Sequence, residues 1–68
     1  MNPEPWRPDD ADREVLRLIA DGLPVVAVGR RLGLSERTVR RRVQTMSRRV
    51  GVASTMELIV HAVRVGWI

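Results

Sequence analysis

The stretch RLGLSERTVRRRVQTMSRRVGV, residues 31–52, decides how this 68-residue chain folds. Gly33 is a stop signal for whatever helix precedes it, because glycine accepts the left-handed backbone that ends a helix. Ser35 can then cap a new helix by accepting a hydrogen bond from a free backbone N–H, and Glu36 complements the dipole in the first turn. Val39, Val43, Met46 and Val50 recur at i, i+4, i+7 and i+11, which is one apolar stripe of helical period. Gly51 stops it. The spacing predicts a helix over about 36–49. At ~100° per residue, Arg37, Arg41, Gln44 and Arg48 lie opposite the stripe. Arg40 flanks one edge, and Arg42 and Arg49 flank the other. Like charges at i, i+4 repel slightly. A helix selected only for stability would interleave glutamates, so the missing counter-charges point to an external anion.

Toward the N-terminus, Pro24 suits a first helical turn, where its missing N–H costs nothing. Val25, Val28 and Leu32 mark one face of a second helix over about 24–32. Its valines lower intrinsic helix propensity, so packing must hold it. Two amphipathic helices joined by Leu32-Gly33-Leu34-Ser35 have the grammar of a helix-turn-helix, whose second helix enters the DNA major groove. A generic helical hairpin has the same spacing. The difference lies in what the second helix displays, and a long face of arginine and glutamine favours DNA. Arginine pairs bidentately with guanine edges and glutamine with adenine, and arginine also grips phosphates through charge-assisted forks.

Further out, Asp9 or Asp10 can cap a helix carrying Ala11, Val15, Leu16, Leu18 and Ile19 at helical spacing, over about 10–20, with Gly22 as its stop. Residues 1–8 hold three of the four prolines and are expected to form an extended arm ahead of a domain at 9–68. On the other side, Ser54-Thr55-Met56-Glu57 reads as a capping box opening a fourth helix over about 55–65, closed by Gly66. The expectation is an all-α domain of four helices.

Composition bounds the rest. The chain is long enough for one small domain with a marginal core. It has no cysteine, which removes disulfides and thiolate metal sites. No apolar run reaches the ~18 residues of a membrane span. The acidic, proline-rich N-terminus has no apolar signal region. A cytoplasmic location is expected. All twelve basic residues are arginine, and the net charge is +4. Residues 1–29 carry three arginines against six carboxylates, a net of −3. Residues 30–49 carry eight arginines against Glu36, a net of +7. Charge segregated in this way is a footprint for a polyanion.

On the fourth helix, Met56, Leu58, Ile59, Val60, Ala62, Val63 and Val65 are apolar, and after Thr55 only Glu57, His61 and Arg64 are polar. So narrow a polar stripe calls for burial on two sides. One side is the domain's own core, and a twin subunit can supply the other. Met56, Ile59, Val60, Val63 and Trp67 are the expected dimer or partner residues. The alternative is that a domain this small uses all of them for one core. His61, the only histidine, is expected to face solvent, since a metal site needs ligands that are absent. No nucleophile with a nearby base and no phosphate-cradling glycine loop is visible. Neither enzyme activity nor a cofactor is expected.

The combination Asp12-Arg13-Glu14-Val15-Leu16, Ala20-Asp21-Gly22, Arg31 through Arg40 and Gly51-Val52 resembles the LuxR/FixJ-type (GerE-like) helix-turn-helix domain of bacterial transcription regulators, over about residues 8–68. The resemblance implies four helices, the third reading DNA, and dimerisation through the fourth. By family position, Arg40, Arg41 and Gln44 fall where bases are read, and Ser35, Thr38, Arg42 and Arg49 where the backbone is touched. Arg37 and Arg48, on the outward face, join the expected backbone contacts. Three positions depart from the family pattern. Val25-Val26-Ala27 replace polar residues at the start of helix two, which removes a phosphate contact and leaves an apolar spot for a protein partner at Val25 and Val26. Thr55 stands where an arginine is usual. Pro8-Asp9 replace leucine and threonine, so Trp6 is expected to supply the missing apolar anchor.

Two functions follow. The first is the DNA-binding domain of a bacterial transcriptional regulator, dimeric on double-stranded DNA. The second is a helix-turn-helix-derived interaction module with weak or lost DNA readout. A sigma-factor region would also end in a helix-turn-helix, but the capped, apolar helix four after Gly51-Val52 disfavours it.

Overall fold

Three of the four helices start on a side-chain cap that the sequence places there. The computed structural model describes residues 6–68 and gives α1 (Asp10–Ala20), α2 (Val25–Leu32), α3 (Glu36–Val50) and α4 (Thr55–Arg64), with no strand among the described residues. Residues 1–5 of the expected arm lie outside the described residues. At α1, Asp9 Oδ1 accepts from the Asp12 N–H at 2.7 Å and Asp12 Oδ2 accepts from the Asp9 N–H at 3.3 Å, a reciprocal capping box. At α3, Ser35 Oγ accepts from the Thr38 N–H at 3.0 Å. At α4, Ser54 Oγ accepts from the Glu57 N–H at 3.1 Å. The expected return bond there is displaced by one residue. Glu57 Oε2 accepts from the Ala53 N–H at 3.0 Å, and also from the Ser54 hydroxyl at 3.1 Å.

The helix limits differ from the expected ones by single residues, where frayed ends and caps meet. Pro24 stands outside α2 as its N-cap, with extended backbone (ψ 157°) and no side-chain bond. Its carbonyl accepts from the Ala27 and Val28 N–H groups at 2.9 and 3.0 Å. α3 runs on to Val50 and ends when Gly51, at φ 78°, turns left-handed. α4 stops at Arg64, and the Trp67 N–H reaches back to the Ala62 carbonyl at 2.8 Å, folding the tail onto the helix.

The link between α2 and α3 depends on two glycines. Gly33 adopts φ 71° and lets the Leu34 N–H turn back to the Gly29 carbonyl at 2.8 Å. Gly29 is buried within α2, and a Cβ there would lie 2.5 Å from the Leu34 carbonyl oxygen. The close approach of turn to helix therefore requires a residue without a side chain.

The buried core is Val15, Leu16, Leu18, Val28, Val39, Val43, Met46, Leu58 and Ala62, with every helix contributing. Burial of each large aliphatic side chain is worth about 1.5–3 kcal/mol. No polar or charged side chain is fully buried among the described residues. α3 packs against each of the other three helices, so its apolar stripe sits at the centre and its opposite face is left outside. Trp6 packs against the core, with its ring edge-on to Trp67 at a centroid distance of 5.7 Å. His61 does not face solvent freely as expected. It is half-buried, with its ring 5.1 Å from that of Trp67, because the tail folds Trp67 back over α4.

Candidate nucleic-acid interface

The outward face of α3 is set by its apolar stripe. With Val39, Val43 and Met46 buried, Arg37, Arg41, Gln44 and Arg48 are exposed on the far side. Glu36, Arg37, Arg40, Arg41 and Gln44 line one shallow depression on this face. Arg40 is partly neutralised there. Its Nε donates to Glu36 Oε2 at 2.9 Å, with a second guanidinium nitrogen at 2.8 Å, an i, i+4 pair along the helix. Arg37, Arg41 and Arg48 have no ion-pair partner among the described residues.

The start of α3 is held by a local side-chain cap. Ser35 and Thr38 are joined by their hydroxyls at 2.9 Å, with Ser35 donating. Ser35 is exposed and Thr38 half-buried. On the flank toward α4, Val43, Gln44, Ser47, Arg48, Val52, Ala53, Ser54 and Thr55 line a groove, so Thr55 faces the same groove as Gln44 and Arg48.

The opposite flank differs from the sequence-based expectation. Arg42 turns inward to α1, 2.9 Å from Asp12 Oδ1 and 3.6 Å from Asp9 Oδ1, and its Nε is buried without a hydrogen-bond partner. The Asp12 hydrogen bond, with the charges of Asp12 and Asp9 behind it, raises the guanidinium's affinity for its proton above the ordinary arginine value. Asp9 is held below the usual carboxylate range, chiefly by the Asp12 N–H, which outweighs the opposing desolvation, with the charge of Arg42 adding to it. Arg42 therefore ties α3 to α1. The cue in the sequence was the carboxylate pair Asp9 and Asp12, of which Asp9 was read there as a cap candidate and Asp12 only as part of the family motif. Two turns further on the same flank, Arg49 is exposed beside Trp6, Arg7, His61 and Trp67.

The expected interaction residues on the other helices separate into two groups. Met56, Val60 and Val63 of α4 are exposed, Met56 by 74% and Val63 by 58%, and Val65 joins them. Ile59 and Trp67 instead pack against the domain's own core. At α2, Val25 also packs against the core, and Val26 alone is exposed. No cluster of three potential metal ligands occurs among the described residues, and no helix there is long and apolar enough to cross a membrane.

A short glycine-containing turn, a central helix with its stripe buried and a cationic face turned outward define a helix-turn-helix DNA-binding domain of a transcription regulator. The chain belongs to the luxR family of bacterial regulatory proteins, whose GerE family model matches residues 11–62. It is similar to the bialaphos biosynthetic pathway regulatory protein of Streptomyces hygroscopicus, at 46% identity over 52 residues, which cover 74% of this chain and 20% of that protein. The chain thus spans only a small part of that relative's length. No solved structure matches it.

Proposed function

We propose that residues 9–68 read a specific double-stranded DNA sequence, with α3 in the major groove. The observation that carries this is the outward face of α3, where Arg37, Arg41 and Arg48 surround Gln44 without internal counter-charges among the described residues. In this reading Arg40, Arg41 and Gln44 meet base edges, and Ser35, Thr38, Arg37, Arg48 and Arg49 meet backbone phosphates. Phosphate contacts supply most of the affinity, and base contacts supply discrimination. Arg42, committed to Asp12, drops out of the contact set. Arg40 must release or share Glu36 to reach a base. The exposed Met56, Val60 and Val63 support a two-fold dimer through α4 on DNA, since an isologous contact doubles one apolar patch onto itself.

Selection of binding sequences from random duplexes tests the proposal. A two-fold symmetric site, with binding that weakens steeply as salt rises, is the expected result. No duplex binding at low salt overturns it.

The apolar patch on α4, with Val26 on α2, also favours a second reading, a protein-interaction module with weakened DNA readout. That reading requires self-association or partner capture that survives replacement of Arg37, Arg41 and Arg48. A strictly monomeric species at high concentration, with no partner recovered, counts against it.

A further inference from the structure

The arginine ahead of the family-matched region occupies a more definite position than an arm residue needs. Trp6 is fixed edge-on against Trp67 at 5.7 Å, Pro8 is buried, and Asp9 caps α1. Arg7, between two anchored neighbours, is held in place while its own side chain is exposed. The pocket that it lines with Trp6, His61 and Trp67 also contains Arg49 from α3. Neither Arg7 nor Arg49 has an ion-pair partner among the described residues. Folding has thus brought a cation from the arm beside a cation of the recognition helix and left both facing out. An anion held between them would relieve that repulsion.

The position of Arg49 identifies the anion. It lies seven residues after Arg42, two turns along the flank that faces α1 and the arm, and this flank borders the outward face. A helix lying in the major groove has a phosphate backbone along each flank, and contacts to those phosphates set its register. We propose that Arg7 is a backbone-phosphate contact beside Arg49, so that the arm extends the DNA interface beyond the helix-turn-helix itself. The proposal rests on the DNA-reading function above.

The test is a salt titration of the whole chain on its selected duplex and on unrelated duplexes. Each neutralised phosphate contributes about 0.9 to the log–log slope. Arg7→Ala should make the slope shallower by about that amount. The wild-type advantage should shrink about 3.5-fold between 50 and 200 mM salt. The loss should be equal on every sequence, and Arg7→Lys should restore most of it. A slope unchanged in Arg7→Ala overturns the proposal, as does a loss confined to the selected site. Failure of the wild-type chain to bind any duplex would instead overturn the DNA-reading function on which it rests.

Discussion

Arg42 of α3 and Asp12 of α1, thirty residues apart in the chain, meet at 2.9 Å, and Asp12 is also the residue that completes the capping box with Asp9. One carboxylate therefore serves two purposes, fixing the start of α1 and holding the flank of α3. Asp12→Ala should destabilise the domain by about 1–3 kcal/mol in urea unfolding, since it removes a cap bond and leaves a partly buried guanidinium with only the more distant Asp9 carboxylate. A double-mutant cycle with Arg42→Ala should give a coupling of at least about 0.5 kcal/mol. Additive losses would show the contact to be incidental.

The same cluster sets a dependence on acid. The Asp9 carboxyl sits below the ordinary range in the folded chain, chiefly through the Asp12 N–H and next through Arg42. A group with a depressed folded value contributes its stability above the unfolded value, about pH 4, and loses it as pH falls through the folded value. Thermal midpoints should therefore decline below about pH 4. Asp9→Asn should flatten part of that decline while leaving the midpoint at neutral pH lower than wild type. Exposure of the Asp9 side chain keeps the effect small. Identical profiles for the two proteins below pH 4 would remove Asp9 from the account.

Gly29 tests the turn. By helix propensity alone, Gly29→Ala in the body of α2 should stabilise by about 1 kcal/mol. The Leu34 carbonyl oxygen, 2.5 Å from the Cβ position, reverses the sign. Overpacking against backbone should leave a net loss of about 1–3 kcal/mol. DNA affinity should fall as well, because relief of the clash shifts the turn that aims α3. A more stable alanine variant would show that the turn adapts freely.

Arg41 and Arg48 share the outward face but are assigned different partners. Arg41→Ala should cost about 1–3 kcal/mol on the selected site and relax the preference for one base. Arg48→Ala should weaken binding equally on all duplexes and make the salt slope shallower by about 0.9. Competition binding with single-base variants of the site separates the two. If Arg41→Ala also weakens every duplex equally, it is a phosphate contact.

The helix succession was legible in the sequence because its signals are local. Asp9, Ser35 and Ser54 precede apolar residues at helical spacing, and Gly33 and Gly51 end α2 and α3, so caps and stops sit within a few residues of what they control. The outward face of α3 was legible for the same reason, since a helix with one apolar stripe has only one far side. The two Pro24 carbonyl bonds and the shifted Glu57 bond were not, because each turns on a difference of one residue between equivalent partners.

The sequence by itself determined four helices, the turn at Gly33, the burial of Val39, Val43 and Met46, and the cationic face opposite them. Tertiary packing decided which arginines remain available. Arg42 and Arg49 share a flank in the helical wheel, yet α1 brings Asp12 to the first, and the arm brings Arg7 to the second. It also decided that Val25, Ile59 and Trp67 serve the domain's own core while Met56, Val60 and Val63 stay exposed. Periodicity records the angle of a side chain around its own axis. What stands opposite that angle depends on how the other helices cross it, and here that separates an internal tie from an exposed cationic surface.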